Sequence, residues 1–186
     1  DLDGINLKLT RSGVESCFSR NDWDACFANQ AGPYYDVWAL RHPEWSPNDC
    51  WQQAAFLDRI RHRKFLNRRT AVYSRMIRIP TSAPWIPVES AFGGFGIYRA
   101  EALRGLLYSA GQNDPQPEHV GFHQRLGASG HKLFINPALV NAGFTEHSRE
   151  SLLIYRLWRS ATHAVPLLIH KVRGAVAARF MRVNAS

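Results

Sequence analysis

At 186 residues, 45% of them hydrophobic, the chain is long enough for one domain with a real core and too short to promise two. No run of about 18 apolar residues free of charge occurs, which argues against a spanning helix. The net charge of +8 is unevenly placed: residues 1–150 carry 17 basic and 15 acidic side chains, whereas residues 151–186 carry six basic ones and no acid. The balanced body does not point to a nucleic-acid partner, while the basic tail invites an anionic surface. Cys17, Cys26 and Cys50 form no CxxC pair and cannot all be bridged internally, so each is expected reduced, as a small buried hydrophobe.

In chain order, Leu2, Ile5, Leu7 and Leu9 predict a strand end, a turn at Gly4 and a second short extended piece. Ser12, followed three residues later by Glu15, predicts a capping-box helix to Phe18. WDACFANQ reads as a buried strand. QQAAFLDRIRHRKFLNRR has helical spacing through Ala55, Phe56, Ile60 and Phe65, with a basic solvent face. AVYSRMIRIP predicts a strand through Val72, Met76, Ile77 and Ile79, stopped by Pro80, and TSAPWIPVES a proline-rich turn.

AFGGFGIYRA reads as a glycine-rich strand leading into a helix from near Arg99 to Gly111. VGFHQRLGASG predicts a second helix ended by glycine, and HKLFINP an edge strand. The alternation of strands and helices predicts an α/β layered domain over residues 1–150. Residues 151–186 predict a basic helical tail in two pieces, broken at Pro166. Two readings of that tail stay open: a helical pair packed on the domain, or a helix lying on an anionic membrane surface.

Asp1 and Asp3, at i and i+2 beside a turn, can converge on one hard divalent cation and leave positions open for a substrate phosphate. A solvated turn yields the same pair, so its meaning rests on the residues downstream. Gly93 and Gly94 in GGFG allow backbone to approach a ligand; a bulged strand is the alternative. Asp36, Trp38 and Arg41 lie in an aromatic segment where carbohydrate rings could stack on indole and charged groups bind hydroxyls or phosphate, although a bare Trp38 more often belongs to a core. Glu89 stands just before the glycines, a carboxylate that could bind ligand hydroxyls. His119 and His123 share a helix face in the manner of zinc ligands, but no third ligand accompanies them.

PVESAFGGFGIYRAEAL followed by PEHVGFHQRLGASGHKLFINP resembles the second half of a GT-A fold (Rossmann-like) nucleotide-sugar glycosyltransferase, and the order of parts matches over most of residues 1–148. YYDVWALRH is similar to bacterial sugar transferases related to capsular mannosyltransferases. The resemblance implies that Asp1 and Asp3 hold Mn or Mg on the donor diphosphate, joined by His147 of GFTEHS. It implies that Glu118 faces the acceptor, with His119 standing where many such enzymes have Asp. In an inverting enzyme Glu118 would be the general base; in a retaining one it would orient the acceptor. An exposed loop Glu is the plain alternative for Glu118, and a capped surface turn for His147.

The expected function is therefore metal-dependent sugar transfer from a nucleoside diphosphate sugar to a carbohydrate or lipid-linked acceptor, at the cytoplasmic face of a membrane. Because the chain opens on its metal motif, an upstream nucleotide-binding portion is expected, without which the fragment would be inactive. The competing class is a non-catalytic membrane-peripheral or polyanion-binding module whose function is the basic tail.

Overall fold

The computed structural model describes residues 4–106 and 116–149, with the backbone alone for residues 147 and 149. The chain divides into two compact units, Asp1–Ser148 and Arg149–Ser186. Asp1, Asp3, the tail helices and the end of the helix expected to reach Gly111 lie outside the described residues.

The first unit is α/β, built on a four-stranded mixed sheet. β1, Ala25–Gln30, is buried at every position, as the run WDACFANQ predicts. Its period of two divides the core. Ala25 and Phe27 join Tyr34, Val37, Leu40, Phe122, Leu126 and Ile135 in one apolar cluster, while Cys26 and Ala28 join Cys17, Trp23 and Leu139 in another. All three cysteines are buried and unbridged.

β4, Leu133–Ala142, runs parallel to β1, with Ala25 opposite Leu133 and Gln30 opposite Ala142. β3, Gly96–Tyr98, and β2, Ile86–Val88, add antiparallel strands to β1 and β4, which gives the order β2-β4-β1-β3. HKLFINP is thus an interior strand rather than an edge. The edge falls to β2, inside the segment read as a turn, where Pro87 can sit in a strand because an edge has N–H groups without ladder partners. α4, Glu118–Ala128, packs Phe122 and Leu126 into the first cluster. A tight turn through Gly130, at φ 84°, returns the chain into β4. The first turn of α4 consequently comes to the carboxyl end of β4.

Several local expectations give way to side-chain bonding. Residues 5–8 form a turn instead of an extended piece. α1, Arg11–Ser16, is capped by Thr10, whose Oγ1 accepts from Gly13 N at 3.0 Å, and Glu15 pairs with Arg11 rather than closing a capping box. Instead of a strand, AVYSRMIRIP holds a helix end, a 3-10 turn at Tyr73–Arg75 and a single bridge from Arg78 to Pro33. The buried Arg75 guanidinium donates to Ser46 Oγ and to the Asn48 carbonyl, and this holds the turn. After β3 comes a 3-10 turn, Ala100–Leu103.

The long basic helix is two helices, α2, Cys50–Ile60, and α3, Lys64–Ala71. Asn67 Nδ2 donates to Asp58 Oδ1 at 2.7 Å and to the Arg61 carbonyl at 2.9 Å, a carbonyl that also accepts from Arg63 N at 2.7 Å, so side chain and backbone together hold the break. The apolar line Ala55, Phe56, Ile60, Phe65 faces solvent, and α2 packs through Cys50 and Ala54, with Leu57 against the same core. AAFL is apolar on too broad an arc to specify one face, and the core takes Ala54 and Leu57 while Ala55 and Phe56 stay outside. Among the described residues no helix is long and apolar enough to cross a membrane.

A glycine turn closes the carboxyl edge of the sheet. Gly93 and Gly94 have φ of 67° and 88°. A Cβ on Gly94 would come within 2.5 Å of Ile5 Cγ2 and 2.9 Å of the Tyr35 hydroxyl, whereas Gly4, at φ 73°, has nothing within 4 Å of one. Gly4→Ala should lose about 1 kcal/mol from backbone strain alone, and Gly94→Ala about 2 kcal/mol or more, since overlap adds to strain. Urea unfolding measures both; equal losses would show that crowding at Gly94 carries no weight.

Candidate functional site

Polar side chains gather where the parallel strands end. Asn29 and Gln30 close β1 and are fully buried. Asn29 Nδ2 donates to the Ile79 and Pro137 carbonyls, and its Oδ1 accepts from Gln30 N. Gln30 Nε2 and Asn141 Nδ2 both donate to the Gly93 carbonyl, at 3.1 and 2.8 Å. Asn141 also donates to Asn6 Oδ1 at 2.8 Å, Asn6 Nδ2 reaches the Gly94 carbonyl at 3.3 Å, and Lys8 N donates to the Asn141 carbonyl. Residues 6 to 8 are thereby bound along the end of β4.

On the other side of the turn, Gly93 N donates to Asp36 Oδ2 at 3.0 Å, and Asp36 Oδ1 accepts from Ala39 N at 3.3 Å. Asp36 thus positions the glycine turn as well as lining a cleft. That cleft, of about 460 Å³, is walled by Tyr35, Asp36, Trp38 and Phe92 together with Gln116, Pro117, Glu118 and His119. Four of the residues singled out from sequence, Asp36, Trp38, Glu118 and His119, meet here from two distant segments, with the Gly93–Gly94 turn attached through Asp36.

Each wall has a physical origin. The indole Nε1 of Trp38 donates to Asp49 Oδ2 at 3.0 Å, and Asp49 Oδ1 caps α2 by accepting from Trp51 N and Gln52 N. The indole is fixed at its nitrogen while the residue stays 44% exposed. Glu118 is exposed in the first turn of α4, where a helix dipole favours an acid. The His119 ring stacks on Phe92 with centroids 4.1 Å apart. Burial lowers its pKa from the usual 6.5, against the opposing pull of Asp36 and Glu118, so the imidazole is neutral at pH 7. Burial, with Asp36 nearby, raises the Tyr35 pKa, keeping that hydroxyl protonated.

Other candidates lie elsewhere. Arg41 is buried and donates to the Trp38 and Leu40 carbonyls, both at 2.8 Å, with Asp49 3.4 Å away, so its guanidinium fixes the aromatic segment outside the cleft lining. Glu89 is exposed, also outside the lining, and its N–H donates to the Arg41 carbonyl. His147 lies in α5, Glu146–Arg149, with its side chain outside the described atoms. Among the described residues no group of three or more His, Cys, Asp or Glu side chains is arranged to hold a metal. His123 turns away from any such role: it is fully buried, with Nδ1 2.9 Å from Ser90 Oγ and Nε2 2.8 Å from the Tyr98 hydroxyl.

Sequence reasoning missed Tyr35, Phe92 and the amide cluster. The signal available was the polar doublet Asn29-Gln30 ending an otherwise apolar strand, and Asn141 near the end of the other. One exposed carboxylate, a neutral imidazole, a phenol and an indole face around an open cleft suit a polyhydroxylated ligand, which needs hydrogen bonds beside an aromatic platform. No family, curated protein or solved structure matches this chain.

His123 leaves a measurable mark. Burial lowers its pKa from 6.5 to about 3. The unfolded chain takes up a proton below pH 6.5 that the folded one refuses, so its contribution to stability is complete above that pH and declines as the pH falls towards 3. The slope from this group should approach about 1.4 kcal/mol per pH unit. Urea unfolding across pH 7 to 4 should give a steeper decline for wild type than for His123→Gln; parallel curves would contradict the buried neutral imidazole.

Proposed function

We propose that the protein is a metal-dependent glycosyltransferase of the GT-A kind, moving a sugar from a nucleoside diphosphate sugar to a carbohydrate or lipid-linked acceptor. One observation carries this reading: Asp36, Trp38, Glu118 and His119 converge on one cleft beside the glycine turn. The turn is bonded to the carboxyl ends of β1 and β4, the edge at which α/β sheets bind ligands.

The metal set would be Asp1, Asp3 and His147, two carboxylates and an imidazole, a donor set suited to Mn or Mg. The intervening chain is compatible with it: Asn6 and Lys8, following Asp3, are bonded to Asn141, which precedes His147 by six residues. A bound cation would offset charge on the departing diphosphate. The remaining roles belong to the cleft. Trp38 presents an indole face to a sugar ring, Tyr35 and the neutral His119 offer hydrogen bonds, and the stack on Phe92 holds His119 in place. Glu118, an exposed carboxylate, takes the acceptor hydroxyl proton if the configuration inverts and orients the acceptor if it is retained. Residues 151–186, basic and without acids, would hold the enzyme to the anionic inner face of a membrane.

The protein should hydrolyse or transfer sugar from one of a panel of UDP- and GDP-hexoses, with activity lost on chelation and restored by Mn. Glu118→Gln should lower kcat roughly 10²- to 10⁴-fold with little change in donor KM. Asp3→Asn should weaken the response to Mn. Undiminished turnover in both variants would refute the assignment.

A further inference from the structure

We infer that the exposed face of α2, with the basic corner leading into α3, is a docking surface for an anionic lipid bilayer. This surface is built from residues 50–71, and the inference does not rest on the proposed chemistry.

The outward arc of α2 carries Trp51, Ala55, Phe56 and Ile60 with a single charge, Arg59. Phe56 is 52% and Ile60 58% exposed, and Phe65 and Leu66 extend the apolar surface across the corner. Large side chains on a helix face that the core does not use call for a partner.

The charges say which partner. Between residues 59 and 69 stand Arg59, Arg61, Arg63, Lys64, Arg68 and Arg69, with no acid. All six are exposed, and no ion pair among the described residues neutralises them. Asp58, the one acid in either helix, is occupied by Asn67. Arg59 lies over the Phe56 ring at 5.8 Å and Arg68 over Trp51 at 6.0 Å, so cations and aromatic rings share one surface. At the corner, Arg61, His62 and Arg63 line a cleft of about 400 Å³ with Leu66, Asn67 and Thr70. It can receive a phosphate headgroup while Phe56 and Ile60 enter the acyl boundary. A second copy of the chain would set these cations against one another, and a soluble polyanion would leave the apolar arc in water. An anionic bilayer satisfies both halves of the surface.

The test uses the full chain and sedimentation with vesicles of equimolar phosphatidylglycerol and phosphatidylcholine, or of phosphatidylcholine alone. Wild type should partition to the anionic vesicles and less so at high salt. The variants Phe56→Ser with Ile60→Ser, and Arg61→Glu with Arg63→Glu, change only exposed side chains; circular dichroism checks their folding. Each should reduce partitioning by about 10-fold or more. The dependence should persist when the tail residues Arg156, Arg159 and Arg173 are replaced by Ser. Failure of wild type to bind, or binding unchanged in both variants, overturns the proposal. So does loss in the charge variant alone, which marks a polyanion site, or self-association that Phe56→Ser with Ile60→Ser abolishes without any vesicle binding.

Discussion

The peptide groups of Gly93 and Gly94 are held from three sides, and the candidate site depends on that arrangement. The Gly93 carbonyl takes two hydrogen bonds, one from each parallel strand, while its N–H is taken by Asp36. A buried backbone group must find partners within the protein, and here the partners come from β1, β4 and the segment after β1. One backbone position thus sets the distance between the sheet edge and the aromatic segment. A side chain at Gly93 would press within 2.8 Å of Gln30 Nε2 and 2.9 Å of the Ala28 carbonyl, so the close approach and the left-handed backbone make the same demand.

Two kinds of interior meet at this edge. Along the middle of β1, successive side chains enter two apolar clusters. At its end they change to Asn29 and Gln30, whose amides bond to carbonyls across the sheet. An amide carries both donors and an acceptor, so it can join strands where the ladder itself is interrupted, as it is between Phe27 and Gln30. Directional bonds replace packing where the chain has to hold loops in fixed places. Packing governs α4, where Phe122 and Leu126 are buried and His123 is fastened between Ser90 and Tyr98.

The legible parts of the fold are those whose signal is local and strong. β1 is a continuous apolar run, and α4 combines helical spacing with a terminal glycine; both are present nearly as expected. β4 is visible in sequence as a strand but not as an interior one, because Pro137 suggests an edge and only the partners β1 and β2 decide the matter. In α2 the spacing is right and the orientation inverted: Ala54 and Ala55 are adjacent and equivalent in sequence, yet one is buried and the other exposed. At the candidate site, Asp36, Trp38, Glu118 and His119, singled out by residue chemistry or by resemblance, line one cleft, whereas its Tyr35 and Phe92 carry no signal in the linear sequence. The Arg41 guanidinium is taken up within its own segment, by the Trp38 and Leu40 carbonyls and by Asp49, bonds that depend on how the segment turns and that residue types alone do not disclose.

Asp49 couples parts that could otherwise vary separately. Its carboxylate terminates α2, holds the Trp38 indole and neighbours the Arg41 guanidinium. Fraying at the start of α2 and rotation of the indole each free one oxygen of the same anion, Oδ1 and Oδ2 respectively, which links the two motions. The cleft's aromatic wall thus shares its rigidity with a helix on the far side of the segment, and a ligand that immobilises the indole would slow amide exchange at Trp51 and Gln52 without touching them.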